Sequence, residues 1–235
     1  MNTNGWKTSS ILSALQTERT ELNDTVKFEI EAATYQNDYF YATDKDGVLW
    51  KFNEEQTDIV KLGDLRANIA NERKLEKSDI KIIDITVNAF DKKMYVIASI
   101  DMNGADLHVF YEVNTETGDV TFKMIDENHI LYRVGSFAFV SETDVVVYDL
   151  YNQTINRVNL EKKEIRQLSW AQNTVDSGEN TGMFYSRELN TLFYACTGFS
   201  TNKVSIFSIN PDNGDAKNIG SAGYDSDLQA LIIKE

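Results

Sequence analysis

The chain has 235 residues, 42% apolar and 26% charged, enough to bury a sizeable core in one large all-β domain or two small ones, and too apolar for a disordered tail. Its 37 acids against 23 bases leave a net charge of −14, which excludes nucleic acid and an anionic membrane surface as expected partners. No apolar run approaches the ~20 residues of a membrane span, so no membrane insertion is expected.

The first residues, MNTNGWKTSSIL, carry no basic region followed by an apolar one, so no signal peptide is read there. That leaves a cytoplasmic or virion protein if Met1 is native, and an extracellular one if the chain is a trimmed form. Next, SSILSALQTERTEL (9–22) reads as a strand ending at Gln16, a turn and a further strand. A strand from Phe28 (FEIEAATYQ) precedes DYFYATDKDGVLWKFN (38–53), two β-rich runs around a polar turn, which is a hairpin. After Asn53 come a polar turn and the run DIVKL. The stretch DLRANIANERKLEKSD (64–79) is charged and bears Ala and Leu at helix-compatible positions, so a short helix or loop is expected there.

The same series then recurs. IIDITVNAF from Ile82 leads into the hairpin ending at Asn114 and the run DVTFKM. YRVGSFAFV from Tyr132 leads into the hairpin ending at Asn159 and the run EIRQL. NTGMFYSRE from Asn180 leads into the hairpin ending at Asn210 and the run AKNIG. The four asparagines are spaced by 61, 45 and 51 residues, the longest gap holding the helix-prone insert. The C-terminal SDLQALIIKE reads as one more first strand with nothing after it.

Four antiparallel strands per repeat of about 40–50 residues is the pattern of a β-propeller blade. The expected fold is therefore all-β: a β-propeller of four-stranded blades, most simply five-bladed, the last blade shared between the termini so that no edge is left free. On that reading the segments are 1–24 (part of blade 5), 25–64 (blade 1), 65–79 (insert), 80–127, 128–172 and 173–222 (blades 2, 3 and 4) and 223–235 (closing strand). A four-bladed ring with an N-terminal extension, or a piece of a larger propeller, is the alternative. YEVNTETGDVTFKM and FSINPDNGDAKNIG resemble the hairpins of bacterial or phage-type β-propeller repeat proteins, a resemblance that spans residues 28–235. It implies an architecture that hosts many functions. The turns NEEQTD and NLEKKE lack the glycine of that pattern.

Candidate sites are few. Asp101, Asn103 and Asp106, with Gly104 for the bend, form the best calcium candidate, set against a plain hairpin turn. Two isolated histidines, His108 and His129, cannot make a three-histidine zinc site. Cys196 lies in an apolar run and reads as a buried thiol. No phosphate-cradling glycine loop or nucleophile elbow is present. Trp170 and Tyr224 fall where a last strand leads into the next blade, positions from which an aromatic can stack on a sugar or anchor a protein. The leading expectation is a non-catalytic binding or assembly module for a protein or glycan, of the kind found in phage or bacterial surface structures. The alternative is a propeller glycoside hydrolase or lyase, with first-strand acids (Asp84, Glu29, Glu188) directed at the axis.

Overall fold

The computed structural model describes residues 30–53, 57–102, 104–171, 181–197 and 204–222. They form four antiparallel sheets of four strands, each in simple meander order. Blade 1 holds β1 (Ile30–Gln36), β2 (Tyr39–Asp44), β3 (Val48–Asn53) and β4 (Ile59–Asp64); blade 2 holds β5 (Ile80–Val87), β6 (Met94–Met102), β7 (Ala105–Val113) and β8 (Val120–Ile125). Blade 3 holds β9 (Val134–Phe139), β10 (Asp144–Asp149), β11 (Thr154–Asn159) and β12 (Glu164–Trp170); blade 4 holds β13 (Thr181–Ser186), β14 (Thr191–Thr197), β15 (Val204–Ile209) and β16 (Ala216–Ala222). The first strands neighbour one another in series, β1 beside β5, β5 beside β9 and β9 beside β13. This is a β-propeller. The shared fifth blade expected at 1–24 and 223–235 lies outside the described residues.

The core lies between blades, and in blades 2 and 3 the middle strands are covered on both faces. In β10, Val145 and Val147 point into the layer shared with blade 2, while Val146 and Tyr148 point into the layer shared with blade 4. That is why these strands read as continuous apolar runs instead of alternating ones. In the connection between blades 1 and 2, α1 (Leu65–Arg73) buries Leu65, Ile69 and Ala70. Its N-terminus is capped by Asp64, whose carboxylate accepts the Ala67 amide at 2.9 Å, and its C-terminus by Lys74 in the left-handed region.

The four asparagines do the same work in each blade. Asn53, Asn114, Asn159 and Asn210 each end a third strand and accept backbone amides of the following turn through Oδ1. Nine residues further on, every fourth strand is bulged, at Leu62, Lys123, Leu168 and Ile219. A bulge adds twist, so the outermost strand swings toward the next blade.

For β4 and β12 that swing brings the end of the fourth strand against the next blade's Asn-led turn. Gly118 of the blade 2 turn meets Gly63 of β4 so closely that a Cβ on it would lie 3.0 Å from the Gly63 Cα. Gly214 of the blade 4 turn meets Ser169 of β12, whose hydroxyl donates to the Gly214 carbonyl at 2.7 Å. Both glycines have positive φ, 74° and 75°. In the blade 3 turn the same position, four residues after the Asn, is Lys163, with φ 57°.

Candidate functional site

The connection from β8 to β9 passes from blade 2 to blade 3 over residues 126–133. Three buried side chains pin it. Asp126 accepts the Leu131 amide through Oδ2 at 2.7 Å. His108, buried in β7, accepts the Val134 amide at Nε2 (3.3 Å) and therefore donates from Nδ1 to the Leu131 carbonyl (3.1 Å). Burial holds the His108 imidazole below its ordinary pKa, with Asp149 and Asp126 opposing, so the neutral ring is the form that fits.

Asp149, at the end of β10, is 0% exposed. Its carboxylate accepts the amides of Tyr132, Arg133, Tyr151 and Asn152 and the side-chain amide of Asn152. A buried carboxylate is tolerable only when saturated in this way. The result is structural: the connection and the β10–β11 turn are tied to one group, and each carries a tyrosine outward. Tyr132 and Tyr151 stack with centroids 5.6 Å apart and planes at 26°. They are 58% and 73% exposed. Trp170, at the end of β12, is 65% exposed and lies opposite Thr154 in the ladder, with the next amide, Ala171, donating to the Gln153 carbonyl at 2.8 Å. All three aromatics thus occupy the end of blade 3 that carries the β10–β11 turn. Met102, at the end of β6, and Ile130, in the 126–133 connection, are further exposed apolar side chains.

Trp170 was singled out by its position in the sequence; Tyr132 and Tyr151 were not. The signal available was Asp149-Leu150-Tyr151-Asn152, an acid followed by a turn, but nothing local couples it to Tyr132. Tyr224 and Asn103 lie outside the described residues. Asp101 and Asp106 face each other across the β6–β7 turn, and Asp101 Oδ1 accepts the Gly104 amide at 2.7 Å, with Gly104 at φ 83°. That is turn chemistry. Among the described residues no group of three or more His, Cys, Asp or Glu is arranged to hold a metal.

The three first-strand acids do not form a set. Glu29 lies outside the described residues. Glu188 is an exposed residue of the β13–β14 turn, because β13 ends two residues earlier, at Ser186. Asp84 does sit on a first strand, just after a bulge in β5. Its carboxyl accepts the amides of Ile85 (2.8 Å) and of Phe137 on β9 (3.2 Å), so it ties the inner edges of blades 2 and 3 together. The side chain keeps some accessible surface, yet protein crowds it, and that burial pushes its pKa up to about 8, the two amides pulling back only in part. The equivalent positions in the other ladders are Ala32, Ser136 and Gly182, too short to make such a tie. Cys196 is buried. No helix among the described residues is long and apolar enough to cross a membrane.

No family model and no curated protein matches the sequence. Solved structures do match. A protein of unknown function from Bacteroides thetaiotaomicron superposes with a TM-score of 0.56 at 14% identity, over 83% of this chain and 44% of its own. A chain of a nidogen/laminin complex gives 0.56 at 11%, over 88% and 69%. An auxiliary nutrient binding protein, also from Bacteroides thetaiotaomicron, gives 0.50 at 9%, over 80% and 40%. The chain therefore spans less than half the length of two of these three relatives. At such identities the likeness concerns architecture, and it agrees with the blades and turns above: the chain has the β-propeller fold.

Proposed function

We propose that this propeller is a non-catalytic binding module that engages a protein partner through the aromatic surface of blade 3. The observation that carries the reading is the exposure of Tyr132, Tyr151 and Trp170 at one end of a single blade, two of them held by the saturated, buried Asp149. Exposed Tyr and Trp on a rigid base are the side chains that dominate protein interfaces, because they bury much area at little cost in side-chain entropy. A propeller of the same architecture in a nidogen/laminin complex is consistent with a protein as partner. The test compares the wild-type chain with Tyr151→Ser/Trp170→Ser in crosslinked pull-downs from the source cells and on a glycan array. Proteins retained by the wild type and lost with the variant support the reading. Array signals lost with the variant would move the partner to a glycan. Indistinguishable behaviour of the two chains in both assays would end the proposal.

A further inference from the structure

Where the blade 3 turn meets β8, a cleft of about 370 Å³ remains. Its origin is readable from the repeat. At the two other junctions the turn glycine lets the strand close in, and a Cβ there would strike Gly63 or Ser169 at 3.0 Å or less. Lys163 has a Cβ, so the turn stands away from β8 and the space stays open.

The walls of this space are not those of a packing defect. Phe122, Met124 and Ile165 form an apolar side. Arg73, at the end of α1, lies with its guanidinium carbon 4.1 Å from the Phe122 ring centroid, and the Lys163 ammonium lies 5.8 Å from the same centroid. Arg73 uses Nε on the Tyr111 hydroxyl and on Glu72, while its Nη2 is buried without a hydrogen-bond partner. Asp126 and Glu127 also line the cleft. Asp126 is 2% exposed; one oxygen holds the Leu131 amide and the other, Oδ1, has no partner. The cleft is therefore walled by two anions, two cations, of which Arg73 is already paired with Glu72, and an apolar side, and the two side chains that keep an unpaired buried atom, Arg73 and Asp126, both line it. A buried polar atom left unpaired is costly, so a ligand toward which either side chain can turn that atom is favoured.

We propose that this cleft binds a small zwitterion of the free amino-acid class. The carboxylate goes to Arg73 and Lys163, the ammonium to Asp126 and Glu127, and an aliphatic side chain lies against Phe122, Met124 and Ile165. With Arg73 already paired to Glu72, a simple acid would leave Asp126 and Glu127 unmet and a simple amine would leave Lys163 unmet. The cleft adjoins the 126–133 connection that carries Tyr132, sharing Asp126 and Ile130 with it, but Tyr132, Tyr151 and Trp170 are not among its lining residues.

Thermal shift and calorimetry on the full chain test this, using the free L-amino acids together with β-alanine and γ-aminobutyrate to sample charge separation, and butyrate and butylamine as one-charge controls. At least one zwitterion should raise Tm saturably at about 10 mM, with both controls weaker by about tenfold or more. Lys163→Gly should keep the fold, since glycine suits that φ, and should weaken binding by about tenfold. Asp126→Asn, which can still accept the Leu131 amide, should do the same. The proposal is overturned if no zwitterion gives a saturable signal, if butyrate or butylamine binds as well, or if Lys163→Gly binds like the wild type.

Discussion

The junction between blades 1 and 2 and the junction between blades 2 and 3 are built on the same plan and end differently. In the first, α1 fills the connection, its Leu65, Ile69 and Ala70 join the inter-blade layer, and Gly118 closes on Gly63. Asn68 adds a bond from its side chain to the Gly118 carbonyl at 2.8 Å. In the second, a short connection is held by three buried polar groups, its tyrosine points out, and Lys163 stands where the glycine would be. The first junction is closed by shape. The second shares an apolar layer too, but its connection is held by hydrogen bonds, and it keeps a cleft and an exposed surface. In a repeat protein the junction that departs from the shared rule is where ligand-facing surface can arise without cost to the other blades.

The largest expected effect comes from removing the group that organises the second junction. Asp149→Ala leaves five buried or half-buried donors without their acceptor. A loss of about 3–5 kcal/mol in chemical denaturation is expected. A loss below about 1 kcal/mol would show that the connection is held mainly by apolar packing.

The matching test of the first junction is Gly118→Ala. The new Cβ meets backbone atoms at 3.0–3.3 Å and the residue must keep a φ of 74°, so neither side can yield cheaply. About 2–3 kcal/mol of destabilisation is expected. Gly214→Ala should cost less, because the nearest obstacle is the Ser169 hydroxyl, which can rotate away.

Two pH effects of opposite sign divide the second junction further. His108 ionises below its ordinary value in the fold, so the unfolded chain takes up the proton first, and stability falls as pH drops below about 6.5. Asp84 behaves the other way. Its folded pKa of about 8 lies above the ordinary 3.8, so its contribution is present at the acid end and is lost as pH rises toward 8. Tm measured from pH 5 to 8.5 should therefore fall less between about pH 5 and 8 in Asp84→Asn than in the wild type, and should fall less, or rise more, as pH drops below 6.5 in His108→Gln. An unchanged profile in both variants would count against the buried placement of these groups.

The smallest effect is a gain. Lys163→Gly relieves a left-handed conformation that a side chain adopts reluctantly and should stabilise the chain by up to about 1 kcal/mol. A clear destabilisation would mean that the Lys163 stem packs on Phe122 more than it strains its backbone.

The architecture was visible in the chain because each blade repeats a local instruction. An Asn that accepts the amides of its own turn needs no distant partner, so it recurs at the same place in every blade and counts them. The bulge nine residues later recurs as faithfully, yet Leu62, Lys123, Leu168 and Ile219 share no chemistry, so no residue type marks it. The candidate acids show the opposite failure. Glu188 looked like a first-strand residue because Ser186 and Arg187 do not announce the end of β13.

Read alone, the residues establish the class of fold, the order of strands, the turn chemistry and the net acidity of the chain. These depend on neighbours in sequence and on bulk composition. Which aromatics share a surface, and which acids are spent on backbone amides, depend on contacts between residues far apart in the chain, such as Asp84 with Phe137, 53 apart, and Asp149 with Tyr132, 17 apart. The missing glycine at Lys163 was legible as a departure from the pattern. That it opens a cleft follows only from the bulged strand of the preceding blade, which elsewhere closes onto a residue with no Cβ.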